Sequence, residues 1–206
     1  MINDRIQAIY DKRAATYDRS VGFGEKIAVG DFRAKFGAAL RGQTLEIAVG
    51  SGLNLPYYTS AVTTSIGIDF SAGMLAVARE RANTLGLDID LRQMDAQALD
   101  FPDSSFDTVA ISLALCTIPD PTAALREMVR VCRTDGQIVL LEHVLSPNWP
   151  VALLERLVSP LQERLIGCHL NRDTIELVRR EGLRIQSEER RLAGVFRLVI
   201  AHPPAL

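Results

Sequence analysis

Four short stretches hold the residues whose types and spacing suit chemistry: Glu46-Ile47-Ala48-Val49-Gly50-Ser51-Gly52, Asp69, Asp95-Ala96, and Ser112-Leu113-Ala114-Leu115-Cys116. Gly50 and Gly52 lack a Cβ, so a ligand can approach the backbone closely. A Gly-x-Gly alone also serves any tight strand-to-helix turn. Asp69 lies 17 positions beyond Gly52. A carboxylate there can accept hydrogen bonds from both hydroxyls of a ribose. The plainer reading is an acid at the start of the helix that Ser71 opens. Asp95 could accept from an adenine amino group, or be a solvated loop acid. The stretch from Ser112 to Cys116 is more apolar than a surface loop needs, which suits a pocket floor.

Groups able to move a proton are few. His143 follows a strand and could act as a base; it could equally be a hydrogen-bonded strand-end histidine. His169 could face a pocket or cap a neighbouring helix. Tyr10 and Tyr17 are one to two helical turns apart and could close over a ligand, or pack as core. The three cysteines, Cys116, Cys132 and Cys168, form no Cys-x-x-Cys motif. Neither a disulfide framework nor a metal site is expected from them, and a reducing cytoplasmic setting fits.

The elements that would position these groups follow a regular rhythm. Segments 44–49, 64–69, 88–93, 106–113 and 137–144 read as strands. Residues 2–18 and 25–40 read as two helices, the second ending near Gly42. Others run from Ser71 to Ala82 and from Thr122 to Cys132. Trp149 to Ile166 is apolar and helical, with a kink expected at Pro160. Asp173 and Glu176 look like a capping box for a helix ending at Gly182. Segments 183–189 and 195–201 flank a polar turn and read as an antiparallel pair at a sheet edge. The alternation of strand and helix predicts an α/β protein, with a mostly parallel seven-stranded sheet, an antiparallel C-terminal hairpin and helices on both faces. Ligands of such sheets bind at the carboxyl ends of the strands, where the four stretches fall.

Bulk properties narrow the partners. The 206 residues carry 23 Lys+Arg against 25 Asp+Glu. No broad positive field points to nucleic acid, and nothing predicts a protein partner. No apolar run approaches a membrane span, although contact with a membrane surface stays open. A nicotinamide site would want Gly-x-Gly-x-x-Gly, but the third position is Leu55.

Taken together, these residues resemble the class I S-adenosylmethionine-dependent methyltransferases. They are most similar to the ubiquinone/menaquinone-biosynthesis, phosphatidylethanolamine N- and thiol S-methyltransferase group. The resemblance rests on several segments: Tyr10 to Asp18, Leu45 to Gly52 continuing through Asn54 to Tyr58, Gly67 to Met74, Asp95 to Gln97 with Phe101 to Asp107, Leu141 to Val144, and Gly167 to Asp173. It implies a Rossmann-like methyltransferase fold in one domain over 1–206. N-terminal cap helices would occupy 1–42, the cofactor-binding core 43–145, an apolar lid and helix 146–182, and the hairpin 183–206. S-adenosylmethionine would be the cofactor. Glu46, Ala48, Gly50 and Gly52, with Asn54 in the same motif, would surround its methionyl part. Asp69 would hold the ribose, Phe70 and Met74 would lie against the adenine, and Asp95 and Ala96 would touch the adenine edge. Leu113 would sit below the sulfonium, with Tyr10 and Tyr17 closing over it. The family usually has Gly at the position of Ala48.

The implied reaction is an in-line methyl displacement onto a small or lipid-like acceptor, an amine, thiol or phenol/quinol, with His143, Tyr17 and His169 as catalytic candidates. The segment from Trp149 to Ile166 could pack as core, line an apolar acceptor pocket or rest on a membrane. Its charges, Glu155, Arg156, Glu163 and Arg164, cancel, and the expectation is core packing with an apolar acceptor pocket. Two alternatives stand beside this one: a module that binds the cofactor without transferring methyl, and a nicotinamide-dependent oxidoreductase.

Overall fold

The computed structural model describes residues 2–204, the side chains of 2, 3 and 23–26 excepted. Seven strands form one sheet: β1 (Gly42–Ile47), β2 (Val62–Asp69), β3 (Asp90–Gln93), β4 (Phe106–Ser112), β5 (Cys132–His143), β6 (Arg184–Arg191) and β7 (Phe196–His202). Their spatial order is β3-β2-β1-β4-β5-β7-β6. The first five strands pair in parallel, and β7 pairs antiparallel with both β5 and β6. The order reverses between β1 and β4, and a ligand crevice belongs at that switch point.

Central strands of a parallel sheet are buried on both faces and read as unbroken apolar runs. Here alternate residues serve separate cores. Leu45, Ile47, Val109, Ile111, Ile138 and Leu140 pack with Leu125 and Met128 of α4 (Pro121–Val131). Between them, Ala110, Val139 and Leu141 point to the other face, against Phe32 and Phe36 of α2 (Phe32–Ala39). Helices therefore cover both faces.

Several boundaries differ from expectation. The N-terminal segment is one long helix, α1 (Ile2–Val29), rather than two with a break between 18 and 25. The break falls at Gly30, whose φ of +58° suits glycine. A Cβ there would meet the Arg191 guanidinium at 2.5 Å. Strand β5 starts at Cys132, but its register against β4 jumps from Phe106↔Cys132 to Thr108↔Gln137. Residues 133–136 thus bulge out, and the regular ladder begins at Gln137 as expected.

Ser71 does cap α3 (Ala72–Leu85), its hydroxyl accepting from Met74 N at 3.1 Å. Asp173 likewise caps α6 (Thr174–Arg180) by accepting from Glu176 N at 3.0 Å. The Glu176 carboxylate pairs with Arg180 at 3.0 Å instead of completing a capping box.

The largest correction concerns α5 (Trp149–Ile166), which runs on through Pro160. Only Ala152, Glu155 and Ser159 are buried along it. Leu153, Leu154, Leu157, Leu161 and Leu165 are at least half exposed, and Trp149 is 77% exposed. The expected core packing is absent because small and polar residues occupy the inward face, leaving the leucines on the outward one. Among the described residues, no helix is long and apolar enough to cross a membrane.

Two substitutions separate the faces. Phe36→Ala removes a fully buried ring and should cost about 3–5 kcal/mol. Leu165→Ala, on the exposed face, should change stability by less than about 0.5 kcal/mol. Urea unfolding followed by circular dichroism checks both; equal losses would contradict this division.

Candidate cofactor and active site

The crevice at the switch point holds a cavity of about 130 Å3. Ile68, Met74, Met94, Ala96 and Ile118 make its walls largely apolar, and Asp69, Asp95 and Gln97 add polar groups. A smaller cavity of about 40 Å3 lies on the far side of the glycine turn, lined by Arg33, Ser51 and Asn54 among others. Tyr17, Ala48, Gly50, Ser112 and Leu113 border both and form the neck between them.

Asp69, at the end of β2, is held from two sides. One carboxylate oxygen accepts from Gly50 N and the other from Ser71 N, each at 2.8 Å. Burial pushes this carboxyl up to about 6, against the opposing pull of the two amide hydrogen bonds. Its remaining lone pairs line the cavity, as ribose hydroxyls require. Asp95 accepts from Gln97 N at 2.9 Å and from the Gln97 side chain. Gln97 in turn accepts from Asp120 N at 2.9 Å, so the two polar groups at the cavity edge are fixed together.

Beneath the glycine turn lies a buried polar cluster. Glu46 accepts from the Asn54 amide at 2.5 Å and from the Tyr58 hydroxyl. The Asn54 amide also donates to Ser112 Oγ at 2.9 Å, and Arg33 donates to Asn54 Oδ1. Burial raises the Glu46 carboxyl above its ordinary value. Glu46 sits in this supporting cluster and borders neither cavity. Gly52 also borders neither. It is the tight point of the turn, with φ +79°, where a Cβ would meet Leu55 at 2.8 Å. Asn54 borders the smaller cavity.

The long helix α1 straps the crevice. Asp11 accepts from the Ser71 hydroxyl at 2.5 Å and from Gly73 N at 2.9 Å, at the start of α3. One heptad later, Asp18 accepts from the Ser51 hydroxyl at 2.5 Å and pairs with Arg81. The residue before each acid is a tyrosine that lines a cavity. Tyr10 lines the larger, with its hydroxyl 3.5 Å from Thr117 Oγ1; Tyr17 lines both. The ring centroids are 6.2 Å apart. The repeated Tyr-Asp pair at a spacing of seven was the available signal for this strap, and sequence reasoning used only the tyrosines. It also missed Ile6, Gln7, Met94, Thr117 and Ile118 in the lining, since apolar and small polar residues look like core.

The structure thus gathers Tyr10, Tyr17, Ala48, Gly50, Asp69, Phe70, Met74, Asp95, Ala96 and Leu113 around one cavity. It does not bring the histidines there. His143 borders neither cavity; its Nε2 lies 3.5 Å from Glu155 Oε1, and its ring meets Phe196 edge-on. Burial lowers its pKa and favours the neutral ring. His169 lies 3.5 Å from Glu163 and borders neither cavity. No residue of α5 borders either cavity, so the expected apolar acceptor pocket is not formed by that helix.

A cavity at the switch point of a mostly parallel sheet that ends in an antiparallel hairpin defines a Rossmann-like methyltransferase fold. Solved structures agree on that fold. The DhpI-SAH complex structure superposes with a TM-score of 0.75 at 20% identity, covering 100% of this chain and 98% of that one. A putative methyltransferase from Bacillus halodurans C-125 gives 0.71 at 20% identity, covering 85% and 100%. Residues 45–140 match the methyltransferase domain family model. A phosphatidylethanolamine N-methyltransferase of Cereibacter sphaeroides is 41% identical over 77% of this chain and 77% of its own length. A demethylmenaquinone methyltransferase of Renibacterium salmoninarum is 34% identical over 68% of this chain, and the match spans 59% of that protein. The chain belongs to the S-adenosylmethionine-dependent methyltransferases, and its cofactor is S-adenosylmethionine.

The cavity lining has groups of the kinds that cofactor needs: a doubly anchored carboxylate, apolar walls and a glycine turn. The Asp69 value near 6 gives a pH signature. Assigning the ribose to Asp69 requires its ionised form as acceptor, so on that assignment cofactor affinity should fall about tenfold per unit below pH 6. Stability of the free protein should move oppositely. A carboxyl raised on folding contributes most below its ordinary value near 4, and that contribution is lost as pH rises through 6. Calorimetric titration from pH 5 to 8 checks the first trend. Asp69→Asn should remove the inflection, and an inflection that survives in this variant would refute the assignment.

Proposed function

We propose that the chain methylates the amine headgroup of a membrane lipid, working from the membrane surface. The observation that carries this reading is the outward face of α5. Leu153, Leu154, Leu157, Leu161 and Leu165 make a continuous exposed apolar stripe with Trp149 at its end. A helix lying in a membrane interface presents such a stripe, and tryptophan suits the headgroup level. Arg156 and Arg164 are exposed on the same helix. The relative from Cereibacter sphaeroides, named for a lipid amine acceptor, supports the same acceptor class.

The bound cofactor supplies an electrophilic methyl group on sulfur, so the protein's task is alignment and exclusion of water. In this reading Asp69 and the apolar walls fix the nucleoside end. The neck formed by Ala48, Gly50, Ser112, Leu113 and Tyr17 marks where acceptor and methyl meet. Tyr17 is the neck's ionisable group, and its hydroxyl orients the neutral amine. Asp11 and Asp18 hold the tyrosine-bearing helix over the crevice. His143 and His169, away from both cavities, are given no proton-transfer step.

Two measurements test the proposal. Vesicles containing phosphatidylethanolamine should yield S-adenosylhomocysteine, with soluble thiols and quinol analogues giving far less. Leu157→Glu should reduce vesicle co-sedimentation and turnover on vesicles at least tenfold, with cofactor binding in solution unchanged. Turnover confined to a soluble thiol or a quinol, or undiminished sedimentation of the variant, would overturn it.

A further inference from the structure

We infer that Cys116 and Cys168 form a reversible dithiol–disulfide site that takes a hydroperoxide as oxidant. The two residues are 52 positions apart in the chain, yet their sulfurs share a hydrogen bond at 3.3 Å. Cys116 lies in the loop that follows β4 and floors the larger cavity, between Ala114 and Thr117 of its lining. Cys168 follows Gly167, the residue that ends α5 in a left-handed turn with φ +74°. His169 N donates to Cys116 O at 2.9 Å, so the two main chains already lie side by side. Arg172 donates to the carbonyls of Leu115 and Ile118 and clamps the same two loops from the other side.

A disulfide needs its sulfurs at about 2.05 Å, roughly 1.2 Å closer than they stand. Both cysteines sit in loops, where a shift of that size disturbs no ladder or helix. The pair is also chemically unequal. Cys116 is buried and Cys168 is half-buried, so Cys168 is the sulfur that an oxidant reaches first. Its thiol is held below the ordinary cysteine value, chiefly by the hydrogen bond with Cys116 and further by the Arg172 cation. Cys132 is buried elsewhere, its thiol against the Gln137 carbonyl.

The chemistry balances in two steps. The Cys168 sulfur attacks one oxygen of hydrogen peroxide; the O–O bond breaks, and the departing hydroxide takes the thiol proton as water. Cys168 is then a sulfenic acid. The Cys116 sulfur attacks that sulfur, the S–O bond breaks, and hydroxide leaves with the Cys116 proton as a second water. Two thiols are oxidised and one peroxide is reduced. The product ties the floor of the cofactor cavity to the loop at the end of α5.

The test uses the full chain, reduced, freed of reductant and exposed to one equivalent of hydrogen peroxide. Thiols titrated under denaturing conditions should fall from three to one, and dithiothreitol should restore three. Peptide mapping should join the segments bearing Cys116 and Cys168 within one chain. Cys132→Ser should fall from two thiols to none. In Cys116→Ser, Cys168 should stop at a sulfenic acid that dimedone traps. Three unreacted thiols, a bridge between chains, a bridge to Cys132, or sulfinic Cys168 without a bridge would each overturn the inference.

Discussion

The site depends on one half-buried carboxylate being held at the seam between two strands. Asp69 ends β2, yet its hydrogen bonds reach the glycine turn after β1 and the first turn of α3. An ionised carboxylate taken out of water costs several kcal/mol unless compensated. Two backbone N–H groups compensate it in part, and the residual cost shows as the carboxyl's rise to about 6. Because those donors belong to different segments, satisfying Asp69 fixes the glycine turn and the start of α3 relative to each other. The larger cavity is the space that arrangement leaves between the strand ends.

The same logic extends outward. Ser71 caps α3 with its hydroxyl oxygen, and the proton of that hydroxyl goes to Asp11 of α1. One serine therefore links helix capping to closure of the crevice. The second anchor, Asp18, works through Ser51 of the glycine turn and through Arg81 of α3. Both anchors grip elements that Asp69 has already set. The long helix is thus registered against the cavity by polar pairs at its rim.

How much of this was legible in the sequence varies with the signal. The strands were, because parallel strands buried on both faces give apolar runs that few other structures need. Asp69, Asp95 and the glycine turn were, because polar or glycine residues at strand ends break that pattern. The cavity walls were not: Met94 and Ile118 have the same composition as core and differ only in what they face. The helix from Trp149 to Ile166 misled for a related reason. Seven apolar residues suggested core, but the inward positions are Ala152, Glu155 and Ser159, and the leucines lie outward. Composition registers how apolar a helix is, while the phase of its small residues decides which face is covered. His143 and His169 were drawn toward the site by their places near strand and loop ends. Their rings turn instead toward Glu155 and Glu163.

Ala48 shows what the resemblance alone leaves out. It adopts φ +52°, and Leu113, which also borders both cavities, adopts φ +53°. Left-handed backbone costs a non-glycine residue roughly 1–2 kcal/mol. Both residues follow the ends of adjacent parallel strands, β1 and β4, where the chain must turn sharply out of the sheet. At Leu113 the turn is held by a hydrogen bond to Leu141 O at 2.7 Å. Around Ala48, Val49 N donates to Ile68 O at 2.9 Å and Gly50 N to Asp69, so the strained residue is bracketed by fixed neighbours. The family's usual glycine would relieve the strain and leave the neck without a methyl group. An alanine there keeps the same backbone path and adds a methyl group at a residue that, like Leu113, borders both cavities. The departure from the family pattern therefore falls on a residue that borders both cavities, while the hydrogen bonds that position Asp69 are untouched.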